Sequence, residues 1–72
     1  PYRFFRYDTV EQAVVDREKI SPDGRTIAGE KMPWDGPVHI FYLARRIVVY
    51  VGENEETIET IRNVFGPQVA GD

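Results

Sequence analysis

The chain has 72 residues and a formal charge of −3, with 42% apolar and 29% charged residues. That length suits one small domain, near the size at which a single core is only just stabilising. The absence of cysteine excludes a disulfide framework and a thiolate metal site. Mild acidity argues against a general polyanion binder, and no apolar run reaches transmembrane length, so neither nucleic acid nor a membrane is the first partner to consider.

Tyr2-Arg3-Phe4-Phe5-Arg6-Tyr7 reads as the first strand. Alternation puts Tyr2, Phe4 and Arg6 on one face and Arg3, Phe5 and Tyr7 on the other, so the rings are expected to join the core while the arginine stems reach out to water. Asp8 with Glu11 and Thr9 with Gln12 fit the spacing of a capping box, and Val10, Ala13, Val14 and Arg17 share one helical face. A helix over residues 9–17 follows.

Ser21-Pro22-Asp23-Gly24 is a turn by its chemistry, since Pro presets φ, Asp bonds its own backbone and Gly accepts positive φ. Residues 25–29 form a short strand leaving it. Residues 31–37, with two prolines and a glycine, form a loop whose Trp34 is expected to fold down and bury its ring.

The stretch from Gly36 to Gly52 dominates the pattern. It reads as two apolar strands reversing at Arg45-Arg46, with a loop longer than two residues because the tip lacks Gly or Asn. This register sets Phe41 opposite Tyr50 and Leu43 opposite Val48 on one side, and Ile40 opposite Val51 and Tyr42 opposite Val49 on the other. Both sides are apolar, as in a strand pair covered on both faces. Asn54 then caps a helix with Glu55 and Glu56 in its first turn. Ile58, Ile61 and Phe65 form its inward stripe with Val64 beside it, and Gly66-Pro67 ends it. In the tail only Val69 is expected to be held down.

The fold class is therefore α+β: one small two-layer domain over 1–72, alone or within a larger protein. Its antiparallel sheet of three or four strands carries two helices, in the order β-α-β-β-β-α. Both helices are expected on one face, leaving the other for the Trp34 loop or a second copy of the chain.

Chemistry has few candidates. His39 is the only histidine, it alternates with Phe41 and Leu43, and no Gly-x-Ser-x-Gly elbow supplies a nucleophile. Glu53, Glu55 and Glu56 cluster before the last helix but lack the pattern of a calcium loop. No cofactor is implied. Pro1 followed by a strand resembles the small tautomerases, in which an N-terminal proline is the general base. The resemblance implies proton transfer at Pro1 and extends to no downstream residue. The later helix-strand-strand-strand-helix order resembles double-stranded-RNA-binding domains in topology, and Arg3, Arg6, Arg45 and Arg46 with Tyr2, Phe4 and Phe5 could make a basic stacking surface. The acids opening the last helix would repel a duplex.

The function read from this pattern is a non-enzymatic protein–protein interaction or self-association module, homodimeric through an apolar sheet face. The contact set is either Phe41, Leu43, Val48 and Tyr50 or Ile40, Tyr42, Val49 and Val51, with Trp34 and Arg46 at the rim; one set is expected in the core and the other at the interface. Two other readings stand beside it: a small-ligand or enzymatic domain around His39 and Trp34, and a single-stranded nucleic-acid binder using the N-terminal aromatic and arginine strand.

Overall fold

The computed structural model describes residues 2–72, so the tautomerase-like reading of Pro1 lies outside the described residues. Elements run β1 (Tyr2–Arg6), α1 (Val10–Arg17), β2 (Thr26–Ile27), β3 (Glu30–Lys31), β4 (Val38–Leu43), β5 (Arg46–Val51), α2 (Glu55–Phe65) and β6 (Ala70–Gly71). A four-stranded antiparallel sheet in the order β1-β5-β4-β6 forms the centre, and β2-β3 is a separate two-stranded hairpin. This is the expected α+β domain with two short strands added, β3 and β6.

The helix ends follow their caps. The Thr9 hydroxyl accepts from the Gln12 N–H at 3.2 Å, and the Asn54 side chain accepts from the Thr57 N–H at 3.0 Å. At the far end of α2 the Gly66 N–H reaches the Arg62 carbonyl, after which the chain turns away.

The central hairpin reverses one residue earlier than the sequence suggests. Leu43 pairs with Arg46, Phe41 with Val48, Ile40 with Val49 and Val38 with Val51, so the loop is the two residues Ala44-Arg45. Moving the reversal by one residue shifts each partner by two, and because side chains alternate with period two, every residue stays on its expected face. The turn was hard to place because Ala44 adopts φ 55°, a region that favours glycine. Ala44→Gly is therefore expected to stabilise the fold by about 0.5 kcal/mol, through relief of that strain less the extra freedom of glycine in the unfolded chain. Urea titration should show a higher midpoint at unchanged slope; a lower midpoint would mean the alanine is not strained.

The helices divide the sheet between them, where one face was expected to take both. Fixed alternation puts Val38, Ile40, Ile47 and Val49 on the face that packs with Ile27 and Ala70, with Phe5, Tyr7, Ile20, Met32 and Trp34 around them. On this side Ala13 buries α1, and the Arg17 guanidinium lies 5.0 Å from the Tyr42 ring. The opposite face holds Phe41, Val48 and Tyr50 beneath α2. There the Asn54 N–H donates to the Tyr50 hydroxyl, and the Phe4 and Phe65 rings meet edge to face at 6.4 Å. A hairpin apolar on both sides needs two covers, and a short helix on each face supplies them.

The remaining segments lock onto the first face. Asp23 closes its turn by accepting from the Ser21 hydroxyl at 2.7 Å and the Arg25 N–H at 3.0 Å, and both bonds hold its carboxyl below the usual carboxylate range. Ala28-Gly29, both at positive φ, turn β2 into β3. The strand expected over residues 25–29 therefore ends at Ile27. Trp34 is half-buried, and its indole N–H donates to the Gly24 carbonyl at 2.8 Å. The tail differs from expectation: the Val69 side chain is exposed, and Ala70 is the buried residue. The N–H groups of Val69, Gly71 and Asp72 donate to the carbonyls of Ile40, Pro22 and Val38. The Val38 N–H in turn donates to the Asp72 carboxylate at 2.9 Å.

Candidate functional site

The expectation that one hairpin set is core and the other open does not describe this sheet. Ile40, Phe41, Val48, Val49 and Tyr50 are all buried within the single chain, and Tyr42 and Val51 are half-buried. The physical reason is the division of the helices, which covers both faces of β4 and β5. Of the ten residues expected to make contacts, Leu43 and Arg46 are exposed, and Trp34 is half-buried at its loop.

His39 and Trp34 are not brought together. The His39 ring lines a cleft of about 530 Å³ with Arg25, Gly36, Pro37, Glu53, Glu55, Ile58 and Asp72, whereas Trp34 lines another with Tyr2, Arg3, Pro33, Asp35 and Val51. The ring nitrogens of His39 are both engaged: Nε2 lies 3.1 Å from the Gly52 carbonyl, and Nδ1 lies 2.9 Å from the Gln68 side-chain amide. These bonds tie β4 to its neighbouring loop and to the tail. Elsewhere, burial and then the Asp16 carboxylate, as hydrogen-bond acceptor and as charge, push the Tyr7 phenol up to about 12. Among the described residues no three His, Asp or Glu side chains gather to hold a metal ion, and no helix is long and apolar enough to cross a membrane.

The exposed apolar surface gathers at β1 instead. Tyr2 (60% exposed), Phe4 (63%) and Val64 (63%) are the three most exposed large apolar side chains among the described residues. Tyr2 and Phe4 share one face of β1. On that same side of the sheet α2 directs Glu56, Thr57, Thr60 and Ile61 toward Tyr2, and Val64 continues this side of the helix one turn on. Between β1 and the end of α2, Phe4, Arg6, Arg46 and Phe65 line a groove of about 430 Å³.

The backbone of β1 is half used. Strand β1 lies at the end of the sheet, and the Tyr7 N–H donates to the Arg45 carbonyl across the β1-β5 pair. Antiparallel pairing alternates in twos, so Arg3 and Phe5 turn their N–H and C=O groups toward β5, while those of Tyr2, Phe4 and Arg6 face outward. No other strand of the described residues covers them. Between Tyr2 and Arg6 this edge has no proline, bulge or lysine, and its only charges are Arg3 and Arg6.

Charge is distributed unevenly along the same edge. Arg6 stands directly opposite Arg46, a like-charged cross-strand pair that costs a few tenths of a kcal/mol unless something offsets it. The ion pairs among the described residues are Arg25 with Asp72 at 3.8 Å and Arg62 with Glu59; neither involves this pair. At the other end of β1, Glu56 lies beside Tyr2. Strand β1 itself carries only positive charge, Arg3 and Arg6; the Glu56 carboxylate near its Tyr2 end comes from α2.

Tyr2 and Phe4 stood out in the sequence only as part of a stacking surface for nucleic acid, and Val64 and Phe65 only as part of the helix α2 stripe, none of them as protein contacts. The usable signal was the first strand itself, whose two faces each carry rings and an arginine, more aromatic surface than an edge strand can bury. Comparison with protein-family models, with characterised proteins and with solved structures finds no match to this chain.

Proposed function

We propose that this chain is a protein-interaction module that takes an extended strand of its partner onto the outer edge of β1. The observation that carries the reading is the coincidence, on one rim, of unpaired main-chain groups with the most exposed apolar side chains. Main-chain pairing supplies affinity in strand addition, and side-chain pockets on alternate residues supply selectivity. Here the groove between Phe4 and Phe65 on one side, and the cleft of about 390 Å³ between Tyr2, Arg3 and Trp34 on the other, are those pockets. Aromatic residues and arginine are also the side chains that concentrate binding energy at interfaces.

A proline at position 4 tests this directly. The Phe4 N–H faces outward, so Phe4→Pro removes no bond to β5, and edge strands accept proline at such positions. Peptides selected from a random displayed library on the immobilised chain should bind Phe4→Pro at least about tenfold more weakly than the parent, while Phe4→Leu retains most of the binding. Peptides that bind Phe4→Pro as well as the parent, or a selection that enriches none, would refute strand addition at β1.

A further inference from the structure

We infer that the strand received by this edge is β1 of a second copy, laid antiparallel about a two-fold axis through Phe4. The inference rests on the strand-addition reading and names its partner.

Main-chain complementarity comes first. A two-fold axis at Phe4 sets Tyr2 opposite the second copy's Arg6, Phe4 opposite the second copy's Phe4, and Arg6 opposite the second copy's Tyr2. These are the residues whose N–H and C=O groups face outward, so each outward pair exchanges hydrogen bonds, and Arg3 and Phe5 fall on the pairs that do not bond. A closed dimer requires an edge that fits itself in this way. Centring the pairing on Arg3 instead would set two arginines face to face, which disfavours it.

Side chains agree with that register. Each arginine of β1 lies opposite a ring, Arg6 opposite Tyr2 and Arg3 opposite Phe5, while the two Phe4 rings meet at the axis. Directly opposite residues share a face of the sheet, so the second copy's Arg6 arrives on the side where Glu56 stands beside Tyr2. The symmetry repeats the contact at the other end. The like-charged Arg6 and Arg46 pair, unexplained within one chain, then has a carboxylate supplied across the interface. An arginine at one end of β1 and an α2 carboxylate beside the other are what an antiparallel two-fold contact converts into two attractions.

The test is a charge exchange read by sedimentation equilibrium over a wide concentration range. Arg6 and Glu56 are both exposed and neither takes part in an ion pair within the chain, so Arg6→Glu and Glu56→Arg are expected to fold; tryptophan fluorescence checks this. The parent should dimerise, each single variant should dimerise about tenfold more weakly, and an equimolar mixture of the two should recover the parent's association, since each then presents the charge the other requires. Single variants that associate as the parent does, or a mixture no better than its components, would overturn the register. A parent that stays monomeric at every concentration would overturn the second copy as occupant. If library peptides still bound the parent and lost affinity for Phe4→Pro, the edge would be receiving a foreign strand; if they did not, the strand-addition reading would fall as well.

Discussion

Phe41→Ala is expected to remove about half of the stability of this molecule. Phe41 is the largest completely buried side chain, paired across the sheet with Val48 on the face beneath α2. Truncating a buried phenylalanine costs about 3–5 kcal/mol, because the transfer energy of the ring is lost and the space left behind does not fully collapse. A chain of this length has only about 4–11 kcal/mol in total. At the middle of both ranges the urea midpoint falls to about half its original value. The damage should spread to α2, which buries none of its own residues completely and depends on the β4 surface beneath it. Amide exchange in α2 should therefore accelerate more than in α1. Leu43→Ala, two residues along the same strand but exposed, should cost less than about 1 kcal/mol. Equal losses for the two substitutions would mean that burial does not control the stability of this sheet.

The second large effect is expected at Gly71, where a side chain has no room. An added Cβ would overlap the Val38 carbonyl oxygen and lie 2.9 Å from its carbon, at a φ of 103° that side chains rarely adopt. Backbone atoms of a central strand cannot rotate aside, so Gly71→Ala must either push β6 off β4 or distort Val38. The cost is expected to be about 3 kcal/mol, with lost protection of the Val69, Gly71 and Asp72 amides. Gly29→Ala is the proper comparison: its φ is 82°, but nothing lies within 4 Å of the added carbon. It should cost only about 1 kcal/mol, the strain of the turn alone. If Gly71→Ala cost no more than Gly29→Ala, the close approach of β6 to Val38 would be wrong.

What could be read in the sequence, and what could not, follows from the range of the forces involved. Helix α2 was legible because its cap at Asn54, its acidic first turn and its stripe of Ile58, Ile61 and Phe65 lie within one short segment. The faces of β4 and β5 were legible because alternation survives a misplaced turn. The turn itself was not, since Ala44 carries a positive φ without the glycine that would announce it. Strand β6 was hidden for a related reason: Ala70-Gly71 has no strand propensity and is held by contacts to Val38, His39 and Ile40, far away along the chain. The candidate site depended most on distant information. That β1 lies at the margin of the sheet follows from its pairing with β5, Phe5 against Ile47, and no local pattern reveals which side of a strand remains unpaired. The sequence did point to hairpin residues as contacts, and the folded chain uses most of them as its interior.

The separation of β1 from β5 along the chain also sets an order of events at the ribosome. Tyr2–Arg6 is synthesised long before Arg46–Val51, the one strand it pairs with in the finished sheet. Until β5 emerges, both margins of this aromatic segment are open, and local contacts cannot close them because the pairing is remote in sequence. The same strand that offers one edge to a partner in the folded protein offers two while translation is incomplete. The segment through which the folded protein is proposed to associate is thus also one that waits longest for its partner strand.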